Sequence, residues 1–304
     1  MNVKANLLGA CMGALGLCSL GNAAYAGSVT QPGETVGINL AAPLPEGVYF
    51  VNTASVGSNR GFVPSAGSNE GLTIPVIAWA TPWEVLGGRI QFLVAQPALY
   101  SGSAYGGAHH TSTFAAGIYN PFLAGMIAWN LGGGFSVSYL AGAYIGIDGG
   151  QFNGAFDQTT FRQDLSLAYA NNGWNATANL IFGIVGNNNS GPYHTANPDY
   201  FNYDLALTKT LGKWEVGIVG FGSTDIAAPS GRIPGTLAQY YGPAQSQFAL
   251  GGLVGYNFGP VIAQAYVTQD VYQSGYSSYE TRGWLRLVVP LWNPETPKAV
   301  AAKY

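Results

Sequence analysis

The chain has 304 residues, with 11 Lys and Arg against 14 Asp and Glu, for a formal net charge of −3. Charged residues make up only 8% of it, against about 25% in ordinary globular proteins, which is unlike a soluble enzyme, and the negative balance argues against nucleic acid as a partner. Beyond the N-terminal apolar stretch no run of about 18 apolar residues occurs, which excludes a transmembrane helix.

The first 26 residues read as an export signal. Lys4 gives a positive start, a mostly apolar stretch runs from Ala5 to Leu20, and the small-residue site Ala24-Tyr25-Ala26 follows. That order is the secretory signature, with cleavage expected after Ala26. Leu8-Gly9-Ala10-Cys11 resembles a lipoprotein cleavage site, but it lies too near the start to leave an apolar core before it. Both cysteines, Cys11 and Cys18, fall inside the signal, so the mature chain is expected to hold no disulfide and no cysteine-bound metal.

Residues 27–46 form the next unit. They show no strand alternation and carry Pro32, Pro43 and Pro45, and proline cannot donate to a ladder. Val36, Ile38, Leu40 and Leu44 are apolar residues that a free tail would have no reason to expose. The expectation is a plug segment that folds into the lumen of whatever follows.

From 47 to 292 the chain reads as an all-β transmembrane barrel, antiparallel and up-and-down, of about twelve strands. A poorly charged, Gly-rich and aromatic-rich exported chain has one membrane home, because only helices and closed barrels satisfy every backbone polar group in lipid. Twelve segments show the alternation that barrel strands need: Gly47–Ser58, Gly71–Ala80, Leu86–Gln96, Ala116–Trp129, Phe135–Ile147, Thr159–Ala170, Trp174–Gly186, Tyr200–Thr210, Trp214–Thr224, Gln247–Phe258, Val261–Val271 and Tyr279–Trp292. Their connections alternate. Long Asn59–Glu70 precedes a turn at Thr81–Glu84, and long Pro97–Ala115 precedes tight Asn130–Gly134. Asp148–Gln158, Asn187–Asp199 and Asp225–Ser246 alternate with tight Asn171–Gly173, Leu211–Lys213 and Gly259-Pro260, before a last outer loop at Tyr272–Ser278. Long extracellular loops and short periplasmic turns are the outer-membrane pattern, whereas a soluble sandwich has no reason to sort its loops. Residues 293–304 are left as a periplasmic tail.

The period of two assigns the faces. Leu165, Leu167, Leu205, Leu207, Leu285, Leu287 and Leu291 fall to lipid. The opposite parity places Arg89, Arg162, Asp164, Asp204, Glu215, Asp270, Glu280, Arg282, Trp284 and Arg286 along the lumen, since Arg or Lys facing mid-bilayer lipid costs about 2–4 kcal/mol. These residues are either a polar track for a permeating solute or a mutually paired network that fills the lumen. Trp83, Trp129, Trp174, Trp214 and Trp292 all fall near periplasmic strand ends and read as an interfacial girdle.

No catalytic constellation, metal site or cofactor motif emerges. The three histidines, His109, His110 and His194, lie in outer loops with no nucleophile motif beside them. Three stretches do carry a resemblance: Gly33–Gly37 through Ala42–Asn52, the run Gln247–Gly259, and Thr281–Arg286. They resemble the MetA-pathway phenol-degradation family of outer-membrane channels, a likeness running from about Gly33 to Trp292. The resemblance implies a barrel that passes hydrophobic or aromatic compounds, with no catalytic residues to carry over.

The expected function is therefore passive uptake of small hydrophobic or aromatic compounds across a Gram-negative outer membrane, not catalysis. Expected partners are membrane lipid and lipopolysaccharide, the solute, and the outer-membrane assembly machinery, with no cofactor. A barrel enzyme acting on lipid and a structural or adhesive barrel are the alternatives.

Overall fold

A computed structural model describes residues 28–61, 66–105, 111–147, 158–186, 195–196, 198–226, 230–231, 244–275 and 278–294. The expected export signal and nearly all of the expected C-terminal tail lie outside them, as do the three histidines.

The chain is a closed antiparallel β-barrel with a wall of twelve strands. Numbered in chain order, the strands are β1 (Gly47–Gly61), β2 (Ala66–Val85), β3 (Gly88–Ala95), β4 (Ala98–Tyr105), β5 (Thr111–Ile118), β6 (Phe122–Gly132), β7 (Phe135–Tyr144) and β8 (Thr160–Asn171). They continue with β9 (Trp174–Val185), β10 (Thr195–Ala196), β11 (Tyr200–Leu211), β12 (Trp214–Asp225), β13 (Ser230–Gly231), β14 (Ser246–Asn257), β15 (Ile262–Ser274) and β16 (Ser278–Trp292). Each wall strand pairs with its neighbour in sequence, and β1 pairs with both β2 and β16 to close the ring. The short β10 and β13 pair with each other between two outer loops.

Proline explains where the wall departs from the expected pattern. Pro97 separates β3 from β4, and Pro121 separates β5 from β6, each breaking one wall strand into two pieces. A proline has no N–H to give the ladder, but its carbonyl still accepts: Tyr119 N–H donates to Pro97 O (2.8 Å), and Ile145 N–H to Pro121 O (2.9 Å). Most of Pro97–Ala115, expected as an outer loop, is therefore the hairpin β4–β5, laid against the outer half of β2. The expected loop Asn59–Glu70 shrinks in the same way, because β1 and β2 pair as far out as Arg60 and Gly67.

The turn expected at Thr81–Glu84 is displaced. That stretch is a bulge in β2 around Pro82, where the register shifts between Ala80 and Glu84 and the Thr81 hydroxyl accepts from Trp83 N–H (3.1 Å). The chain reverses at Leu86-Gly87 instead, with φ of 51° and 75°, the two left-handed residues a tight hairpin turn requires. Asn172-Gly173 makes the same turn, as expected, with φ of 51° and 76°.

The wall has one apolar and one mostly polar face. Leu165, Leu167, Leu205, Leu207, Leu285, Leu287 and Leu291 stand exposed on the outside, while Ser166, Asp204, Thr208, Arg282 and Arg286 on the same strands are buried. Trp83, Trp174, Trp214 and Trp292 are exposed at the rim where the tight turns lie, the place an aromatic girdle occupies.

Candidate solute path and the segment within it

Residues 28–46 run along the inner face of the wall. Successive tight turns, in which Glu34 N–H donates to Gln31 O, Val36 N–H to Gly33 O and Ile38 N–H to Thr35 O, hold residues 31–38 in a compact coil. Gly33 and Gly37 have φ of 90° and 76°, which only glycine adopts without strain. Gly33 also needs its missing side chain, because a Cβ would sit 2.6 Å from the Phe221 ring.

Two wall charges clasp this coil. Asp204 accepts from Gly33 N–H (2.9 Å), Thr35 N–H (2.9 Å) and the Thr35 hydroxyl (2.6 Å). Arg286 donates to the carbonyls of Glu34 (2.7 Å) and Val36, and also to Thr53 Oγ1, Gln264 Oε1 and Tyr266 Oη. Five N–H groups on a guanidinium therefore meet five acceptors. Both residues are fully buried, at 0% exposure, and among the described residues neither has an ion-pair partner. Their charges are satisfied by the dipoles and hydroxyls around them, most of which belong to the segment.

The remaining charges find partners within the wall or on the segment. Arg162 holds Asp164 (2.7 Å) and reaches Glu34 of the segment (2.5 Å). Arg282 holds Glu280 (2.6 Å), and Asp270 accepts from the Glu280 backbone (2.8 Å) and from Gln273 (2.6 Å). Glu215 accepts from Thr208 and Gln264, and Arg89 stands apart beside Glu84 at 3.9 Å, near the tight-turn rim. Arg162, Asp164, Glu280 and Arg282 are thus ion-paired, whereas Asp204, Glu215, Asp270 and Arg286 are held by hydrogen bonds to neutral groups, those of Asp204 and Arg286 partly from the segment.

Aromatic residues stack into this polar side. Trp284 stacks on Tyr266 with centroids 5.1 Å apart and planes at 11°, Arg286 lies over Tyr266, and Arg282 over Trp284. A guanidinium over an aromatic face is favourable where water is excluded. Sequence parity identified Trp284 and the arginines. Tyr200, Phe221 and Tyr266 share the parity of Asp204, Glu215 and Asp270 but were not singled out, because nothing but parity marks an aromatic residue as inward; Glu34, whose partner is 128 residues away, was missed as well.

The opposite side of the lumen differs. Ile74, Ala95, Tyr119, Phe122, Ala124, Met126, Leu140 and Tyr144 form one buried apolar cluster on β2, β3, β6 and β7 and the link before β6. The segment meets it through Val29 and touches the neighbouring cluster of Tyr49, Ala78 and Ala80 through Leu44. It also accepts a hydrogen bond from β7 at Leu40 O, from Ser138 Oγ (2.9 Å). Gln91 on β3 is buried with neither end of its amide bonded. Among the described residues no group of His, Cys, Asp or Glu is arranged to hold a metal ion.

Residues 45–287 match the profile of the family described as "Putative MetA-pathway of phenol degradation". Among solved structures, the chain resembles the COG4313 outer membrane channel from Pseudomonas putida F1, with a TM-score of 0.66 and 11% identity over 84% of this chain and 99% of that one. A FadL homologue from Pseudomonas aeruginosa follows at a TM-score of 0.46 and 7% identity, over 88% of this chain and 100% of that one, a likeness too distant to argue from. No curated protein sequence matches. At such identities the likeness speaks to the fold alone, which is that of an outer-membrane channel.

Proposed function

The chain belongs to the MetA-pathway phenol-degradation family, and from that premise we propose that it is an outer-membrane channel for passive uptake of small hydrophobic or aromatic compounds. The observation that carries this reading is the asymmetry of the lumen. The N-terminal segment is hydrogen-bonded to β8, β9, β11, β15 and β16, whereas on the side of β2 to β7 it meets aliphatic and aromatic side chains mainly by packing. Packing contacts are non-directional and can be exchanged for those of another apolar body, while buried hydrogen-bonded charges cannot be given up without a full desolvation penalty. An apolar solute therefore passes between the segment and the β2–β7 side, and the polar side anchors the segment.

In this reading Arg162, Asp164, Asp204, Glu215, Asp270, Glu280, Arg282, Trp284 and Arg286 lie across the segment from most of the path, and those that bond the segment hold it in place. The chain's own residues do no chemistry on the solute, and no cofactor is used. The outer membrane is the expected location, because a wall with an apolar outer face and aromatic rims suits a bilayer.

Proteoliposome swelling tests the reading. With solutes matched for size, such as phenol or toluene against erythritol, the purified barrel is expected to admit the apolar members preferentially. Leu140→Asp, which places a charge in the apolar cluster, is expected to reduce apolar flux severalfold while the barrel keeps its heat-modifiable gel mobility. Equal permeation by polar and apolar solutes, or apolar flux untouched by the substitution, counts against it.

A further inference from the structure

The outer end of β1, β2, β15 and β16 holds a second group of charges that the segment does not touch. Glu70, Asp270 and Glu280 gather there around Arg282, all four buried, at 7%, 5%, 5% and 1% exposure. Three carboxylates thus face one guanidinium, and that guanidinium is already committed to Glu280 through two of its nitrogens (2.8 and 2.6 Å) and to Ser55 (2.8 Å). The register brings them together. Gly57 lies between Glu70 on β2 and Arg282 on β16, and a Cβ at that glycine would overlap the Glu280 carboxylate.

One further residue makes this more than an acidic cluster. Asn59, two residues along the same face of β1, has Glu280 as its partner on β16 and lies diagonal to Glu70 on β2. It is 3% exposed, and neither its amide nitrogen nor its oxygen has a hydrogen-bond partner. A buried amide left unpaired costs about 1–3 kcal/mol, so a group that accepts and donates nothing here leaves the site incomplete. The Asn59 oxygen lacks a donor, and the surplus of carboxylates beside it favours a donor that also carries positive charge.

The strand below gives the rest of the ligand. On β2 the side chains that share a face with Glu70 are Leu72, Ile74, Val76 and Ala78, by the period of two. Ile74 and Ala78 are buried, and Leu72, Ile74 and Val76 belong to the apolar cluster of the proposed path. The acidic group caps the outer end of that apolar face.

We propose that Asn59, Glu70, Asp270 and Glu280 form a binding site for the protonated amine of an otherwise apolar solute, the ammonium held at the cluster and the apolar body lying on Leu72–Ala78. An ammonium has three N–H donors and no acceptor, which suits carboxylates and the Asn59 oxygen. The excess of negative charge also draws a cation and repels an anion. This deepens the uptake reading by naming a class of solute, and it rests on that reading for the path below the site.

The experiment uses the purified full barrel in a planar bilayer, with hexylammonium, hexanol or hexanoate added on the loop side. Hexylammonium is expected to interrupt the single-channel current at concentrations about tenfold lower than the other two, the worth of one charge-assisted hydrogen bond. Glu70→Gln is expected to weaken that block about tenfold, and Asn59→Ala severalfold, with hexanol unaffected by either. Glu280 is left alone because it holds Arg282. Equal block by the three probes, or a hexylammonium block unchanged in both variants, overturns the site; heat-modifiable mobility confirms that each variant has folded. Swelling by toluene, measured on the same preparations, separates the two ideas. If toluene is excluded while hexylammonium still blocks selectively, the uptake reading falls and the site stands.

Discussion

The two halves of the lumen are built from opposite materials. From β8 to β11, and again on β15 and β16, the inner face is set with arginines, carboxylates, asparagines and tyrosines, and almost every one is bonded to another or to the N-terminal segment. From β2 to β7 it is mostly isoleucine, leucine, methionine, alanine, phenylalanine and tyrosine, with Glu70 at the outer end, Ser136 and Ser138 on β7, and Gln91 left unbonded among them. An eight-strand barrel is just filled by its own side chains, and sixteen or more strands leave a water channel. At twelve, side chains alone do not fill the lumen, and here a chain segment supplies the remainder. The difference between the halves teaches that the wall charges holding the segment, Arg162, Asp204 and Arg286, all lie on one side, which under the proposed function leaves the other side for an apolar route.

The largest expected effect comes from removing the tethered partner. Deleting residues 28–40 takes away three donors from Asp204 and two acceptors from Arg286. Single-channel conductance is expected to rise severalfold, and discrimination between apolar and polar solutes to fall. Unchanged conductance in a correctly folded deletion variant would place the segment outside the conducting path.

Next in size is the self-paired part of the polar half. Arg282→Ala strands Glu280 as a buried unpaired carboxylate, a loss of about 3–5 kcal/mol. It is expected to lower the thermal transition of the detergent-solubilised barrel markedly. A transition within error of the parent would mean that the pair is solvated.

Asp204→Asn should do less to the barrel and more to the segment. The amide oxygen, placed where Oδ2 stands, keeps the two Thr35 donors but loses the one from Gly33 and the charge, at about 1.5–3 kcal/mol for the charge-assisted bonds. Frequent brief openings, read as excess current noise, are expected with the thermal transition little changed. A quiet trace like the parent's would assign the clasp to Arg286 alone.

The smallest effect belongs to the outside. Leu287, on the same strand as Arg282 but of opposite parity, meets lipid, and Leu287→Ala trims only that contact, at about 1 kcal/mol or less because lipid replaces what is lost. If Leu287→Ala and Arg282→Ala shift the transition equally, the assignment of the two faces of β16 is wrong.

Much of this was readable without coordinates. A period of two is intrinsic to the strand, so Leu165 against Asp164, Leu205 against Asp204 and Leu285 against Arg286 announce their faces locally. Turn chemistry is local as well, and Asn172-Gly173 marks its hairpin by the left-handed conformations those residues accept. The alternation of long and short connections then counts the strands. What the chain could not announce is whatever depends on partners far along it. Pro97 reads as a loop signal and Pro121 falls inside an expected strand, yet the surrounding sheet tolerates both as breaks within wall strands, and the hairpin β4–β5 follows from pairing with β2. Parity placed Asp204 and Arg286 in the lumen but could not reveal that a backbone coil 169 to 252 residues away satisfies both. Nor could it bring Asn59 and Glu70, which read as loop residues, beside Glu280. Side-chain direction is a property of a few consecutive residues, whereas the identity of a buried charge's partner is settled only when closure of the ring sets the register between β1 and β16.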